Sequence, residues 1–312
     1  MLYSVYTYLI LVLAQVLFCS GVYAAAVVEV EKKPKTLIER NIEISKKIDE
    51  FATDIDVGLS GQNNRDVSFR NLTQVTLRSE ANWAENGAFT YKPFLDLRLH
   101  LPNFEKKWQL KFSTSDEEQV RGVNKNRVRT APSRQNYGGG VGLAQQLGQV
   151  IAEFEPRVEF LDGVRHSYIL RLKTKTENSF FTIRPEAELF VRSYAGAGEF
   201  FSINTDIPLY KTAVLTIINE EQYVDRENVF STNNGIRIGY DYNDSMSQGY
   251  SLIFESSSRP NYHLDRYVVA TGFSHKIFQN ILHYTIVPYL AFPRTLDFKG
   301  SPGLNLELKL IF

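Results

Sequence analysis

Histidines, one cysteine and close pairs of carboxylates are the side chains of this 312-residue sequence best able to do chemistry. The five histidines, His100, His166, His263, His275 and His283, never stand at i, i+4 from one another or beside a second ligand cluster. No zinc site is therefore expected. Cys19 is the only cysteine, so a chain cut after it can form neither an internal disulfide nor a thiolate metal site. Gly138, Gly139, Gly140 and Gly142 lack the Lys-Ser/Thr of a phosphate loop; inside a strand they permit close packing instead. With no catalytic constellation, neither enzymatic activity nor a cofactor is expected. Thirty-five basic and 35 acidic side chains leave a formal net charge of +0, which gives no reason to expect a nucleic-acid partner.

The carboxylates are more informative. Glu153/Glu155 and Glu186/Glu188 are spaced two apart, so on a strand each pair points to one face and needs a neighbouring cation to stay ionised. Arg and Lys are interleaved with them in the same parity. The elements that must position these charges can be read from the hydrophobic period.

From Met1 to Ala24 the chain holds an apolar core, Leu9 to Phe18, before the small-residue pattern Val22-Tyr23-Ala24. This reads as a secretory signal over residues 1–24, exported by the Sec route; the run is too interrupted for the roughly 20 residues of a membrane-spanning helix. Residues 25–65 then form a charged N-terminal segment expected in the periplasm. Within it Leu37, Ile38, Ile42, Ile44, Ile48 and Phe51 recur at helical spacing, which predicts an amphipathic helix over about 36–52. Gly58 to Asp66 has linker composition.

Beyond Asp66 the period becomes two and remains so over 66–312. Phe89, Tyr91, Pro93, Leu95, Leu97, Leu99 and Leu101 alternate with Lys92, Asp96, Arg98 and His100; Phe154, Pro156, Val158 and Phe160 alternate with glutamates and Arg157. About fourteen such strands can be counted, with twelve as the alternative. Short connections, Pro102 to Glu105, Glu177 to Ser179, Asp206 to Lys211, Asn243 to Ser245 and Lys276 to Asn280, fall on one side. Ser115 to Asn136, Ser257 to Asp265 and Arg294 to Pro302 fall on the other. Pro93, Pro156, Pro185 and Pro288 lie inside strands and should mark bulges or strand ends.

Alternation alone does not say which face is wet, because a soluble sandwich turns its apolar parity inward and a membrane barrel turns it outward. Dense charge on the polar parity over so long a stretch favours the barrel. Aromatics near segment ends, among them Trp83, Tyr91, Trp108, Phe201, Tyr210, Tyr223, Phe230, Tyr250, Tyr267 and Tyr289, suit interfacial girdles. A β-chain in lipid must pair every backbone group internally, so only a closed ring will serve. The expected fold is all-β: a closed antiparallel transmembrane β-barrel with a short N-terminal helix.

The last segment, Leu304, Leu306, Leu308, Leu310 and Phe312, resembles the terminal strand of bacterial outer-membrane β-barrel proteins. In that family such a strand is the signal read by the barrel-assembly machinery, which the resemblance implies for Leu306, Leu308, Leu310 and Phe312. The chain also looks like a group of proteobacterial barrels of about 300 residues that carry an N-terminal helix and a second strand like Leu95 to Pro102, a group without assigned activity. Outer-membrane lipid and the outer membrane as location are implied. The His-x-Ser-Asn stretch shared by outer-membrane phospholipases is absent around all five histidines.

If the apolar parity faces lipid, the lumen receives Arg98, Lys111, Glu155, Arg157, Glu159, Arg171, Lys173, Arg184, Glu186, Glu188 and Glu255, together with charges such as Arg78, Glu80, Arg237, Glu307 and Lys309. Three readings stay open: an ion-pair network bracing the interior, a water-filled pore for small polar solutes, and an active site. Arg121, Lys125, Arg127, Arg129 and Arg134 belong to the long connection and form either a basic constriction or a solvated loop. Transport through a pore is the leading expectation. The alternatives are a non-conducting structural or docking barrel and a barrel-embedded hydrolase.

Overall fold

The computed structural model describes residues 36–60, 73–85, 89–99, 108–113, 137–160, 164–193, 196–278 and 281–312. Among the described residues one helix, α1 (Leu37–Ser60), precedes fifteen strands. These are β1 (Gln74–Ala84), β2 (Thr90–Leu99), β3 (Trp108–Ser113), β4 (Tyr137–Leu147), β5 (Val150–Phe160), β6 (Val164–Thr174) and β7 (Thr176–Glu177). They continue through β8 (Thr182–Arg192), β9 (Gly196–Tyr210), β10 (Ala213–Val224), β11 (Val229–Asp241), β12 (Met246–Ser257), β13 (His263–Ile277), β14 (Leu282–Pro293) and β15 (Ser301–Ile311).

Each strand pairs antiparallel with its sequence neighbours, and two further pairings complete the circle. β1 pairs β15, from Thr76 with Ile311 to Ala84 with Gly303, and β6 pairs β8, from Ser167 with Arg192 to Lys173 with Glu186. β7 is two residues that continue β6 past Lys175 against Ile183 and Thr182. The ring therefore has fourteen staves, the number expected from the alternation. Among the described residues every stave has a partner on each side, which is the condition hydrocarbon imposes on β-structure.

The prolines do not end strands. The ladder of β1 with β2 runs unbroken through Ser79 and Pro93, that of β5 with β6 through Pro156 and Tyr168, that of β8 with β9 through Pro185 and Ile203, and that of β14 with β15 through Pro288 and Leu304. On the opposite side the pairing lapses. β4 and β5 skip from Gly140/Arg157 to Leu143/Phe154, and β13 and β14 skip from Ala270/Tyr289 to Phe273/Ile286. At Pro185 the partner changes from β6 to β7. At Pro156, Pro185 and Pro288 the missing N–H thus falls where one ladder is already open, and the other ladder holds the register.

The rim bearing the start of β1 and the end of β15 is called proximal here. Connections 175–181, 211–212 and 242–245 lie on it, while 258–262 and 294–300 lie on the distal rim with the shorter 225–228. The expected turn Asp206 to Lys211 is mostly strand, since β9 runs to Tyr210. Asparagines build two proximal turns: Asn178 Oδ1 accepts from the N–H groups of Phe180 and Phe181, both at 2.8 Å, and Asn243 Oδ1 accepts from those of Ser245 and Met246, both at 2.9 Å.

Helix α1 extends to Ser60, eight residues beyond its expected end near residue 52. Thr53, which could have stopped it, instead returns its hydroxyl to the Asp49 carbonyl at 2.7 Å. Ile55 keeps the apolar period. Ala52 is fully buried with Ile55 and Leu97 around it, and Asn41 Nδ2 donates to the Ile311 carbonyl at 2.6 Å. These contacts tie the helix to the proximal ends of β15 and β2. Burial pushes the Asp49 carboxyl above its usual range.

Side-chain burial is inverted relative to a water-soluble sheet. Leu77, Leu95, Tyr168, Leu170, Leu172, Leu189, Val191, Ile203 and Ile236 are exposed, whereas Glu155, Arg157, Arg171, Glu188, Arg192, Asn204 and Glu220 are buried. Apolar exposure on this scale, repeated on most of the described strands, is a surface made for a non-aqueous neighbour.

Candidate functional site

The inner parity of β5, β6, β8 and β9 gathers the densest chemistry. Arg171, on β6, is flanked by Glu153 on β5 and Glu188 on β8, its cross-strand partners. Its Nη2 lies 2.7 Å from Glu188 Oε2 and its Nε 2.9 Å from the same oxygen. Nη1 reaches Glu153 Oε2 at 3.2 Å, and Nε stands 3.3 Å from Glu186 Oε1. Lys173 Nζ adds a second cation 3.5 Å from Glu153 Oε2. Two cations among three carboxylates answer the repulsion within the Glu186/Glu188 pair that the spacing implies. The guanidinium's several fixed donors let one arginine serve all three.

Other ion pairs ring the interior. Arg184 Nη2 and Asp206 Oδ2 are 2.7 Å apart, and Asp206 also accepts from Thr216 Oγ1 at 2.7 Å. Arg266 Nη2 and Glu255 Oε2 are 2.6 Å apart, Lys309 Nζ and Glu307 Oε1 2.7 Å, and Arg78 Nε and Glu80 Oε1 3.4 Å. Asn82 Nδ2 donates to Asn305 Oδ1 at 2.5 Å across the β1/β15 seam.

Of the expected lumen residues, the structure brings Arg171, Lys173, Glu186 and Glu188 into one cluster and places Arg184 and Glu255 in separate pairs. Glu155 and Arg157 are buried on the inner parity. Glu155 leans over Gly140, where an added Cβ would stand 3.0 Å from Oε1, so this glycine gives the close packing expected of its run. Arg98 and Lys111 are register partners on β2 and β3, and Glu159 pairs with Gly138 and Arg165; their side chains lie outside the described residues. So do Arg121, Lys125, Arg127, Arg129 and Arg134, His100 and the segment 1–24.

The alternation did not reveal how apolar parts of the interior are. Phe94, Ile169, Phe190, Phe200, Ile218 and Val268 share the charged parity and are buried. Phe94 stands between Lys92 and Asp96, Ile169 between Ser167 and Arg171, and Phe190 between Glu188 and Arg192, so the signal was an apolar residue interrupting a charged parity. Arginines cover two of these rings: Arg192 Cζ lies 4.4 Å from the Phe190 centroid and Arg78 Cζ 4.6 Å from that of Phe94. Tyr289, expected in an interfacial girdle, also points inward at 6% exposure and packs with Val268, Ala270, Val287 and Ala291. The reason is register: Pro288 and Leu290 hold the outward positions on either side of it.

Hydration of the charges is uneven. The side chains of Lys173 and Arg184 are each 39% exposed and that of Lys309 33%, against 11% for Arg171 and 0% for Glu188. The first three, which lie toward the proximal rim, are open to water, whereas the Glu188 side chain is sealed from it.

The outer wall carries two aromatic tiers. Toward the distal rim Tyr267 stacks on Phe292, with centroids 4.4 Å apart, and neighbours Phe254 and Phe298. Toward the proximal rim Phe273, His275 and Tyr284 cluster, with His275 Nδ1 3.1 Å from the Tyr284 hydroxyl. On β13 the tiers are separated by the step from Tyr267 to His275, about 27 Å of strand at about 3.4 Å per residue. A tilt of about 40° makes that a rise of about 21 Å, close to the roughly 25 Å apolar band of membrane barrels. Four placed histidines sit on three strands: His166 on β6, His263 and His275 on β13, His283 on β14. No group of acidic, His or Cys side chains able to hold a metal occurs among the described residues.

No protein-family model matches the sequence, and no curated protein does. Among solved structures the chain is similar to the KdgM porin in complex with disordered oligogalacturonate, at 9% identity over 76% of this chain and 98% of that one, with a TM-score of 0.39. It is similar also to the outer membrane channel DcaP of Acinetobacter baumannii, at 10% identity over 77% and 96% with a TM-score of 0.44. A third is outer-membrane expressed OmpT of Vibrio cholerae, at 10% identity over 77% and 97% with a TM-score of 0.43. Independently of these, the closed antiparallel ring, its apolar outer face and its two aromatic tiers give the chain the fold of a transmembrane β-barrel.

Proposed function

We propose that this protein is an outer-membrane channel through which small polar solutes diffuse, its proximal rim in the periplasm and its longer connections outside. The observation that carries the reading is the radial partition of charge: ionised side chains line the interior of a ring whose exterior is greasy. A strand wall of this kind has its backbone satisfied in lipid, and charged lumen residues set selectivity in such barrels. Lys173, Arg184 and Lys309 are the hydrated cations past which a solute would move, and Leu306, Leu308, Leu310 and Phe312 supply the assembly signal. The test is conductance of the purified chain in planar bilayers. Discrete steps with a reversal potential that responds to a salt gradient support the channel; silence at every voltage removes it.

One observation favours a second reading, a closed structural barrel. Ile169 and Ile218 at 0% exposure, and Ser202 and Asn204 at 1%, show interior positions that water does not reach. A barrel silent in bilayers but recovered with one stoichiometric envelope partner after cross-linking would establish that role instead.

A further inference from the structure

Helix α1 is held to the barrel at two points that fix its course. Asn41 donates to the Ile311 carbonyl, and Ala52 is sealed against Ile55 and Leu97. Leu97 faces outward as the register partner of Val75, nearer the rim than the exposed pair Leu77 and Leu95. The helix therefore lies on the outer face of the proximal rim. Handedness gives its direction. On the descending strand β15, Ile311 has the inward parity of Lys309 and its N–H donates to the Ile281 carbonyl, whereas Phe312 has the outward parity and donates to Val75. For L-residues this sets β14 to the right of β15 and β1 to its left, seen from outside with the distal rim uppermost. From Asn41, on the β14 side of β15, to Ala52 at β2, the helix runs right to left across the β15/β1 seam. The lengths agree: the helix covers about 16 Å between these residues, and two strand intervals of about 4.8 Å at a tilt of about 40° span about 13 Å along the rim.

The face of α1 turned to the wall repeats every seven residues through Ile38, Ser45 and Ala52, which are half-buried or buried. Successive residues of a right-handed helix are turned by about 100°. In a helix running right to left along a wall, the residue before each wall-facing one points up, toward the distal rim, and the residue after it points down. The residues before are Leu37, Ile44 and Phe51, which are 44%, 41% and 56% exposed. Those after are Glu39, Lys46 and Thr53. Bordering the apolar strip on the side away from the wall are the exposed Arg40 and Lys47, with Lys47 3.7 Å from Glu43. Ile42 is the one exposed large apolar residue of α1 off the strip among the described residues.

We propose that α1 is a membrane-surface helix whose strip Leu37, Ile44 and Phe51 lies in the lipid leaflet at the proximal rim. The strip points up the wall toward Leu77 and Leu95, so it continues the surface already turned to hydrocarbon. Arg40 and Lys47 then stand at the level of lipid phosphates, their stems along the apolar boundary. Glu39, Lys46 and Thr53 remain in water. Direction decides the occupant: a strip meant for a soluble partner would face away from the bilayer, and this one faces into it. Anchored above by lipid and at its side by Leu97, the helix covers the seam where the first and last strands meet.

The full chain, with Cys19→Ser as background, tests this after refolding into vesicles of phosphatidylethanolamine and phosphatidylglycerol. A fluorophore is attached at Ile44→Cys or Phe51→Cys, with Lys46→Cys and Glu50→Cys as controls, and heat-modifiable gel mobility selects folded protein. When the acyl chains carry bromine, the label at residue 44 or 51 should lose most of its emission, and the label at residue 46 or 50 little. Iodide in the buffer should reverse that order. Should Phe51→Cys fail to fold, Leu37→Cys on the same strip replaces it. Equal quenching by brominated lipid at all four positions, or at none, overturns the proposal. So does shielding of residues 44 and 51 from iodide without quenching by brominated lipid, which would mean that protein, a second copy of the helix included, covers the strip.

Discussion

Arg171 and Glu188 meet at 2.7 Å across the β6/β8 ladder that completes the ring, and the Glu188 side chain is wholly buried. A pair of this kind adds little net stability while intact, since desolvation offsets attraction, but removing one partner strands a charge. Arg171→Ala should therefore destabilise the barrel by about 3–5 kcal/mol, read as an earlier denaturant midpoint in detergent. Replacing both residues with apolar ones of similar size should recover most of that loss. An Arg171→Ala midpoint equal to wild type would show that Lys173 alone neutralises the cluster.

Tyr289 occupies space that Gly303 leaves empty: a Cβ on residue 303 would fall 2.2 Å from Tyr289 Cζ and 2.3 Å from its hydroxyl oxygen. Gly303→Ala should destabilise by about 1–3 kcal/mol, the usual range for overpacking. Combining it with Tyr289→Ala should give less than the sum of the single effects, and additivity within error would mean that the ring does not fill that space.

At the seam, the Phe312 N–H donates to the Val75 carbonyl at 2.8 Å, and the Phe312 carbonyl accepts from the Val75 N–H at 3.1 Å. Deleting Phe312 opens the ladder of β1 with its chain-terminal partner and should lower both assembly in cells and stability after refolding. Phe312→Ala keeps the backbone pair. It should slow assembly while leaving the refolded barrel nearly as stable, which separates an assembly signal from a structural bond. Heat-modifiable gel mobility reports the folded fraction in both experiments.

Selectivity should respond to hydrated charges and ignore buried ones. Arg184→Gln removes a cation that water reaches, so the reversal potential in a KCl gradient should move toward greater cation preference. Arg192→Gln, at 3% exposure, should move it far less. Equal shifts would place the conducting path along the β8 interior rather than at its proximal end.

Alternation by itself determined that this protein is a sheet with one greasy and one charged parity. It also gave the approximate strand number and the terminal strand Leu304 to Phe312, because a strand turns each successive side chain to the opposite face. The charged positions on β5, β6 and β8 were legible for the same reason. Partnership was not. That Arg171 sits among Glu153, Glu186 and Glu188 depends on the register of three strands and on the closure that brings β6 beside β8, neither of which a periodic pattern encodes. Period also misplaced the end of α1, where Thr53 satisfies its own hydroxyl inside the helix. It likewise expected breaks at prolines that the structure accommodates by opening one ladder and keeping the other. Which interior positions stay dry, and that Tyr289 fills the space above Gly303, were decided only when fourteen strands enclosed a common volume, because burial is a property of what lies across the ring.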